Sequence, residues 1–230
     1  KQSLFFYLGL LLLYILKGSP IDLMAHIMFT AHMIQMALLF LLFPITILKG
    51  LPVWVWEKIF YAPILKPVLK LLTKPLISLL MFNALFSFYH IPEIFDFTKE
   101  NKMIHITVTL VLLVAAFIMW WPIFSPIEKL NKMPPLMKIG YIAATGILIT
   151  PACALIIFST TSHYATYGAE GSWLQAMALC VPLDVLDTIS ISGPEMFSPM
   201  TLLEDQQLGG IVMKISQDRK STRLNSSHNA

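Results

Sequence analysis

Long apolar segments constrain the fold of this chain more than any other feature of its sequence. Of its 230 residues, 57% are hydrophobic and only 13% are charged, and the mean hydropathy is +0.72. About 20 apolar residues cross a bilayer as a helix, and soluble domains are far less apolar than this chain. We therefore expect an all-α fold, a polytopic transmembrane helical bundle that forms one domain over residues 1–216.

The apolar segments predict about six spans in this chain and seven in the intact protein. The candidates, of which the first and last are incomplete, are residues 4–16, 23–48, 75–89, 104–121, 139–158 and 208–215. The segment 173–191 is also apolar, but it carries Asp184 and Asp187, and carboxylates are expensive in lipid. We expect this segment to be a surface or re-entrant helix. Pro44 predicts a kink in the second span.

Both ends of the chain differ from what an intact membrane protein would show. The first residue is Lys1 and the opening apolar run is short, which predicts truncation. The polar run after about Ser216 follows an apolar segment abruptly and reads as a translated sequencing-library adapter. We expect residues 217–230 to be a foreign adapter-derived tail that is not part of the fold. A genuine polar tail is the alternative.

Loop charges predict the orientation of the bundle. Lysines concentrate in residues 49–74 and 126–138, which the positive-inside rule assigns to the cytoplasm. Residues 90–103 and 163–207 carry most of the carboxylates and are assigned to the outside. Residues 57–72 form a basic amphipathic connector, which we expect along the inner leaflet. Four tryptophans are expected at the inner interface, namely Trp54, Trp56, Trp120 and Trp121.

Composition and motifs exclude several classes of function. The net charge is only +3, and no basic patch alternates with aromatic residues, so nucleic acid is not a predicted partner. Cys153 and Cys180 are too few for a disulfide framework. The chain has no nucleophile elbow, zinc-protease motif, phosphate loop or dinucleotide fingerprint, so we do not expect an enzyme.

Histidines gather at the predicted outer ends of the helices. Ionisable side chains inside a membrane call for a functional explanation, and imidazole with thioether is a donor set that suits copper. His26 and His32 lie at the outer end of the second span, His90 ends the third span and His105 begins the fourth. We predict a shallow outward-opening pocket that holds His32, Asn83 and Cys153 and is rimmed by His26, His90 and His105.

One continuous helix over residues 23–48 could not bind a metal alone. His26 and His32 are six residues apart, so their side chains would point about 120° apart. The row that shares a face with His32 is Met24, Met28 and Met36. Residues of other helices must then complete the site, and its soft thioether and imidazole donors favour Cu(I). The candidate copper ligands are His26, His32, His90, His105, Met28, Met36 and Cys153.

Ordinary structural roles remain open for the same residues. Methionine fills irregular gaps in apolar cores, and buried cysteine behaves as a small hydrophobe. A histidine at a helix end can lie half-hydrated at the interface, and His90 can cap its helix because Pro92 follows closely. The loop carboxylates, among them Asp96, are expected to be solvated.

Three stretches carry a resemblance to a known family. They are Leu-Phe-Ser-Phe-Tyr-His-Ile-Pro-Glu-Ile-Phe-Asp at 85–96, Met-Trp-Trp-Pro-Ile-Phe at 119–124, and the sequence around Asp-Gln-Gln-Leu-Gly-Gly at 205–210. The chain resembles the CtaG family of caa3-type cytochrome c oxidase assembly factors, in its Gram-positive bacterial form. The resemblance implies a multi-pass protein of the bacterial plasma membrane that helps copper reach the buried site of a haem–copper oxidase.

The residues and the resemblance together predict a non-enzymatic assembly factor that delivers Cu(I) to a cytochrome c oxidase subunit at the outer membrane face. A copper transporter or copper-resistance permease is the alternative, although it would need polar groups through the inner half of the bundle. A haem carrier or enzyme that uses histidine pairs on facing helices is a third possibility.

Overall fold

The computed structural model describes residues 1–130, 133–168, 177–178, 181–186 and 197–226, with the side chains of the last helix described to residue 216. Within these ranges no strand occurs, which confirms the predicted all-α class. The helices are α1 (Gln2–Lys17), α2 (Pro20–Ile27), α3 (Phe29–Gly50), α4 (Val53–Phe60), α5 (Leu65–Leu72), α6 (Pro75–Tyr89), α7 (Pro92–Glu100), α8 (Lys102–Phe124), α9 (Pro135–Ile157) and α10 (Leu202–Ser226). A single helical turn, Leu183–Leu186, precedes α10.

Among the described residues, three helices, α3, α8 and α9, are long and apolar enough to cross a membrane. The number rises to five if each of two bent pairs is one span: α1 with α2, which meet at 48°, and α5 with α6, which meet at 84°. The helix α10, which contains the predicted sixth span at 208–215, does not meet the same criterion. The polytopic helical architecture is confirmed, and the structure supports three to five spans.

The prediction of one continuous helix over residues 23–48 is wrong, because one residue interrupts the helix. Met28 has extended backbone angles, φ −125° and ψ 132°, so α2 ends at Ile27 and α3 begins at Phe29. No proline or glycine causes this break. The carboxylate of Asp205 in α10 accepts hydrogen bonds from the backbone amides of Phe29 and Thr30, at 2.6 and 3.1 Å. A contact from the far end of the chain therefore caps α3.

The prediction of a distortion at Pro44 corresponds to a π-helical segment, Leu38–Leu42, inside α3. Proline has no amide hydrogen, so Pro44 cannot donate to the carbonyl of Phe40 four residues earlier. The indole of Trp120 donates to that carbonyl instead, at 2.9 Å. Trp120 is therefore buried between α8 and α3. The interfacial depth expected for the four tryptophans stays a prediction.

The connector predicted as one amphipathic element is two helices, α4 and α5, separated by Tyr61–Ile64. Pro63 lies in this break and disfavours a helical residue before it. None of the side chains of α5 is buried, which agrees with the prediction that this helix lies at a surface.

The core fills the space between α3, α6, α8, α9 and α10. The helix α10 packs on both α3 and α9, and α1 packs on the second half of α3. A polar contact holds three helices together: the phenol of Tyr141 donates to the carbonyl of Met119 at 2.8 Å and lies 3.0 Å from the hydroxyl of Ser78. The largest buried side chains include Phe40, Phe82 and Phe86.

Some predictions lie outside the described residues. The segment 173–191 is described only at 177–178 and 181–186, and Cys180 is outside those ranges. The backbone of α10 continues to Ser226, and the foreign origin of residues 217–230 stays a prediction. The sides of the membrane to which the loops belong also stay predictions.

Candidate functional site

Four buried histidines from different helices meet at one end of the bundle. The ring centroids of His32 in α3 and His90 at the end of α6 are 6.2 Å apart. Those of His26 in α2 and His105 in α8 are 5.6 Å apart. His32 interacts electrostatically with the other three histidines, so the two pairs form one group, here named the histidine cluster. All four side chains are at most 7% exposed.

Backbone carbonyls orient two rings of the cluster. Nδ1 of His26 lies 2.8 Å from the carbonyl oxygen of Asp22, and Nδ1 of His90 lies 2.8 Å from that of Phe86. Because a carbonyl oxygen can only accept, each Nδ1 carries the hydrogen, and Nε2 of a neutral ring is then an acceptor. Histidine ligands of metals are usually oriented in this way.

Several nitrogens of the cluster have no hydrogen-bond partner among the described residues. They are both ring nitrogens of His32, Nε2 of His90 and Nδ1 of His105. Burying a polar atom without a partner costs about 1–3 kcal/mol, and native proteins leave few such atoms. The cluster therefore has donor and acceptor capacity that the fold itself does not use.

Aromatic rings enclose the histidine cluster. The ring of Phe95 in α7 stands edge-on to His32 at 5.1 Å, and Phe86 packs on His90 at 4.1 Å. Phe29 stacks on Tyr164 at 4.5 Å. These rings exclude water, which strengthens any electrostatic or coordination bond formed inside.

A strap, formed by Tyr164 and the short helix Ala165–Tyr167, lies over the histidine cluster. The hydroxyl of Tyr164 donates to the carbonyl of His90 at 2.7 Å, and that of Tyr167 donates to the carbonyl of Ala25 at 3.1 Å. Both contacts tie the strap to backbone at or next to a histidine of the cluster. Burial raises the pKa of the Tyr164 phenol, and the negative charge of Asp96 adds to the effect.

The interpretation of Asp96 as a solvated loop charge is wrong. Its carboxylate accepts hydrogen bonds from the backbone amides of Ala165 and Thr166, at 3.0 and 3.1 Å, and from the Thr166 hydroxyl at 2.5 Å. Asp96 belongs to α7, so this helix holds the strap in place.

A buried lysine lies beside the histidine cluster. Lys99 in α7 is 2% exposed, and its ammonium lies 5.4 Å from the centroid of the Phe95 ring. It interacts electrostatically with each of the four histidines. A positive charge at this position disfavours a highly charged cation beside the rings.

One side of the cluster borders a cavity of about 280 Å³ between α1, α2 and α8. His26 and His105 line it together with Asp22, Lys17 and apolar side chains. Asp22 accepts from Lys17 at 2.9 Å and from Gln35 at 2.7 Å, so its carboxylate is committed to this network. The cavity gives the His26–His105 pair space for a small ligand.

A second buried polar region holds α10 against its neighbours. Besides Asp205, which caps α3, Gln206 accepts from the amide of His163 at 2.9 Å and donates to the carbonyl of Ile156 at 3.4 Å. Gln207 donates to the carbonyl of Ser159 at 3.0 Å. We name Asp205, Gln206, Gln207, Gly209 and Gly210 the α10 clamp.

The two glycines of the α10 clamp permit close helix contact. A Cβ at Gly209 would lie 2.6 Å from a ring carbon of Phe29, and one at Gly210 would lie 2.8 Å from a side-chain carbon of Ile157. Both distances are too short for real contacts, so larger residues would push α10 away from α3 and α9. Residues 205–210, which carry the family resemblance most specifically, therefore pack α10 against α3 and α9.

The predicted ligands other than histidine are dispersed. Met28 packs with Ile27 and Met177 in a separate small cluster, since it lies in the break between α2 and α3. Met36 is buried one helical turn after His32, on the same face of α3. Cys153 is buried on α9 near the phenol of Tyr164. Asn83 donates to the carbonyl of Leu79 at 2.7 Å, and its oxygen is unpartnered among the described residues.

In the part of the chain that the structure describes, no three His, Cys, Asp or Glu side chains are arranged to hold a metal ion. The cluster offers pairs of imidazoles, and the donor chemistry of such a pair fits a soft ion of low coordination number better than zinc, which takes four ligands. The prediction of seven ligands stays a prediction.

Sequence reasoning missed Lys99, Tyr164 and Asp205. Lys99 stands four residues after Phe95 in a short polar helix, a spacing that places both on one face. Asp205 precedes two glutamines and two glycines at the start of an apolar run, which could have suggested helix docking. Tyr164 had no such pattern around it, because its role depends on a contact 74 residues away.

Comparison with known proteins gives one match. The family model described as cytochrome c oxidase caa3 assembly factor matches residues 1–220. No curated protein and no solved structure matches the chain.

Proposed function

Because this chain belongs to the family of cytochrome c oxidase caa3 assembly factors, we propose that it binds Cu(I) as cargo in the histidine cluster. It then passes the ion to a cytochrome c oxidase subunit at the outer face of the bacterial plasma membrane. The role is non-enzymatic: the chain holds, shields and releases the ion.

The observation that carries this proposal is the set of buried imidazole nitrogens that have no hydrogen-bond partner in the described part of the chain. His32 has two of them and His90 has one, at Nε2. The ring centroids of this pair are 6.2 Å apart, which leaves room for one ion between them, since metal–imidazole bonds are about 2 Å long. A bound metal ion would satisfy one nitrogen of His32 and Nε2 of His90 and so remove part of this free-energy cost.

Charge and softness favour Cu(I) over a divalent ion. The electrostatic repulsion between Lys99 and a monovalent ion is about half that for a divalent ion at the same distance. Met36, one turn after His32 on α3, is a soft thioether that can act as an additional ligand. The second pair, His26 and His105, borders the cavity beside α1 and provides a position for entry of the ion.

Loop charge supports the outer face as the place of transfer. The lysine-rich segments 49–74 and 126–138 lie at the end of α8 opposite to His105, and the positive-inside rule assigns such segments to the cytoplasm. The histidine cluster then faces outward, where the strap at Ala165–Tyr167 would have to open for the ion to leave.

Metal analysis tests the proposal directly. The purified 230-residue chain is loaded with Cu(I) under anaerobic reducing conditions, desalted, and its retained copper measured beside that of His32→Leu. The matched control is His163→Leu, because His163 is exposed in a loop. We expect copper retention in the parent and in the control and a loss of at least tenfold in His32→Leu. Equal retention in His32→Leu and the parent, or none in the parent, contradicts the proposed site.

A cellular assay tests the delivery step. In a bacterium whose caa3-type oxidase depends on this chain, His32→Leu should lower both the copper content and the activity of the oxidase. Normal oxidase copper with the His32 variant contradicts delivery through this cluster. Copper flux across proteoliposomes that contain the purified chain would instead favour a transporter.

A further inference from the structure

An aromatic cleft lies at the end of the bundle opposite to the histidine cluster. It is formed by α4, α5 and the second half of α8, and its volume is about 300 Å³. The side chains that line it are almost entirely apolar, and they include Trp56, Phe60, Leu69, Phe117 and Trp121. Its shape and chemistry suit a hydrocarbon chain.

A second cavity of about 400 Å³ continues this cleft toward the start of α6. The two cavities share Phe60, Thr73 and Trp121 in their walls, so they are adjacent. The second cavity is the basic part, because Lys70 and Lys74 line it. One apolar and one cationic compartment therefore stand side by side.

Two indole groups on the cleft have hydrogens with no acceptor among the described residues. Nε1 of Trp56 and Nε1 of Trp121 are both buried and unpartnered, and both side chains are at most 9% exposed. A buried N–H without an acceptor is unfavourable. A ligand that brings an oxygen into the cleft would remove this cost.

The helix α5 has the geometry of an element that lies in a membrane surface. It meets α6 at 84°, so α5 runs along the bilayer plane if α6 crosses the bilayer. Lys66 and Lys70 lie one turn apart on α5, and Lys74 follows at the bend before α6. Val68 and Leu71 are 51% and 50% exposed, as expected for side chains that contact lipid.

We propose that these two cavities bind one anionic phospholipid. Its acyl chain occupies the aromatic cleft, its phosphate lies against Lys70 and Lys74, and an ester or phosphate oxygen accepts from the indole of Trp121. The charge of the site selects the class of lipid, because the described residues that line the second cavity include two lysines and no carboxylate. A zwitterionic lipid would place its own cation beside these lysines.

Native mass spectrometry of the detergent-purified 230-residue chain tests the proposal. The chain is titrated with dioleoylphosphatidylglycerol or with dioleoylphosphatidylcholine, and the number and affinity of retained lipids are measured. We expect one phosphatidylglycerol to be retained at least tenfold more tightly than phosphatidylcholine. Equal affinities for the two lipids overturn the proposal.

Variants locate the binding site. The double variant Lys70→Gln with Lys74→Gln should weaken phosphatidylglycerol binding roughly tenfold or more, since each lysine contributes appreciably to attraction of anionic lipid. The matched control is Lys58→Gln with Lys66→Gln, which removes the same charge from residues that do not line the cavities. Trp121→Phe keeps the ring but removes the N–H, and should weaken binding about fivefold. An equal effect of both double variants means nonspecific attraction and overturns the site.

Discussion

The α10 clamp and the histidine cluster are both buried and polar, but they use their polar atoms differently. In the clamp, both carboxylate oxygens of Asp205 accept backbone amides, and Gln206 both donates and accepts. In the cluster, His32 has no hydrogen-bond partner at either ring nitrogen among the described residues. The clamp is built for stability, whereas the cluster carries unused bonding capacity that points to a ligand.

The two regions also meet. Phe29 lies between them, because its amide is held by Asp205 while its ring contacts both Gly209 and His32. The clamp therefore fixes the start of α3 at Phe29, three residues before His32. Because the polar atoms of the clamp are hydrogen-bonded, whereas both ring nitrogens of His32 lack a partner in the part of the chain that the structure describes, we expect clamp variants to lose stability. We expect cluster variants to lose ligand binding and to keep their stability.

The largest loss of stability is expected for Asp205→Ala. It removes a helix cap and leaves two amides of α3 without acceptors, so the free energy of unfolding should fall by about 2–4 kcal/mol. Denaturant titration in mixed micelles measures this change. The control is Glu204→Gln, since Glu204 is exposed, bonds only to Thr201 in the described contacts, and keeps an acceptor oxygen. A loss no greater than that of the control would disprove the capping role.

A smaller loss is expected for Gly209→Ala. The added methyl group would collide with the ring of Phe29, and overpacking of this kind costs about 1–3 kcal/mol. Gly140→Ala is a matched control in α9, because nothing lies within 4 Å of its Cβ position. Alanine there should stabilise the helix slightly. The same titration should show a lower free energy of unfolding for Gly209→Ala and a slightly higher one for Gly140→Ala. Changes of the same sign would contradict the close contact.

Tyr164→Phe tests the strap between the two regions. It removes the hydrogen bond to the carbonyl of His90 and should lower the free energy of unfolding by about 1 kcal/mol. Tyr7→Phe is the control, because Tyr7 is 67% exposed.

The same residue predicts a pH dependence. Burial raises the pKa of the Tyr164 phenol in the folded chain, so its contribution to stability is fully present below the unfolded pKa of about 10 and is lost as pH rises above that value. Stability measured from pH 8 upward should fall less steeply in Tyr164→Phe than in the parent. Identical slopes would contradict burial of this phenol.

The smallest effect on stability is expected for His32→Leu. Replacing a buried imidazole that has no partners by an apolar side chain of similar size should leave the free energy of unfolding unchanged or raise it by about 1 kcal/mol. Denaturant titration in mixed micelles without added metal measures this change in the free energy of unfolding. A loss above 2 kcal/mol would show that His32 serves the fold, and the contrast between the clamp and the cluster would disappear.

The helical class and the boundaries of α6, α8 and α9 follow from apolar runs that are local properties of the sequence. The predicted span at 75–89 coincides with α6, and the spans at 104–121 and 139–158 fall largely within α8 and α9. The histidine positions were also predictable as a group, since helix ends that meet at one side of a bundle bring their residues together.

Other features depend on contacts between residues far apart in the sequence. The break at Met28 has no local cause, because its cap is supplied by Asp205 from 176 residues away. The packing of Met28 beside Ile27 and Met177 and the positions of Asp96 and Lys99 likewise arise from tertiary contacts. The sequence by itself determined that this chain forms apolar helices with histidines at their ends, because helix formation and hydrophobic burial depend on local composition. Only the tertiary structure decided which polar atoms find partners, because a hydrogen bond requires two groups to meet in space.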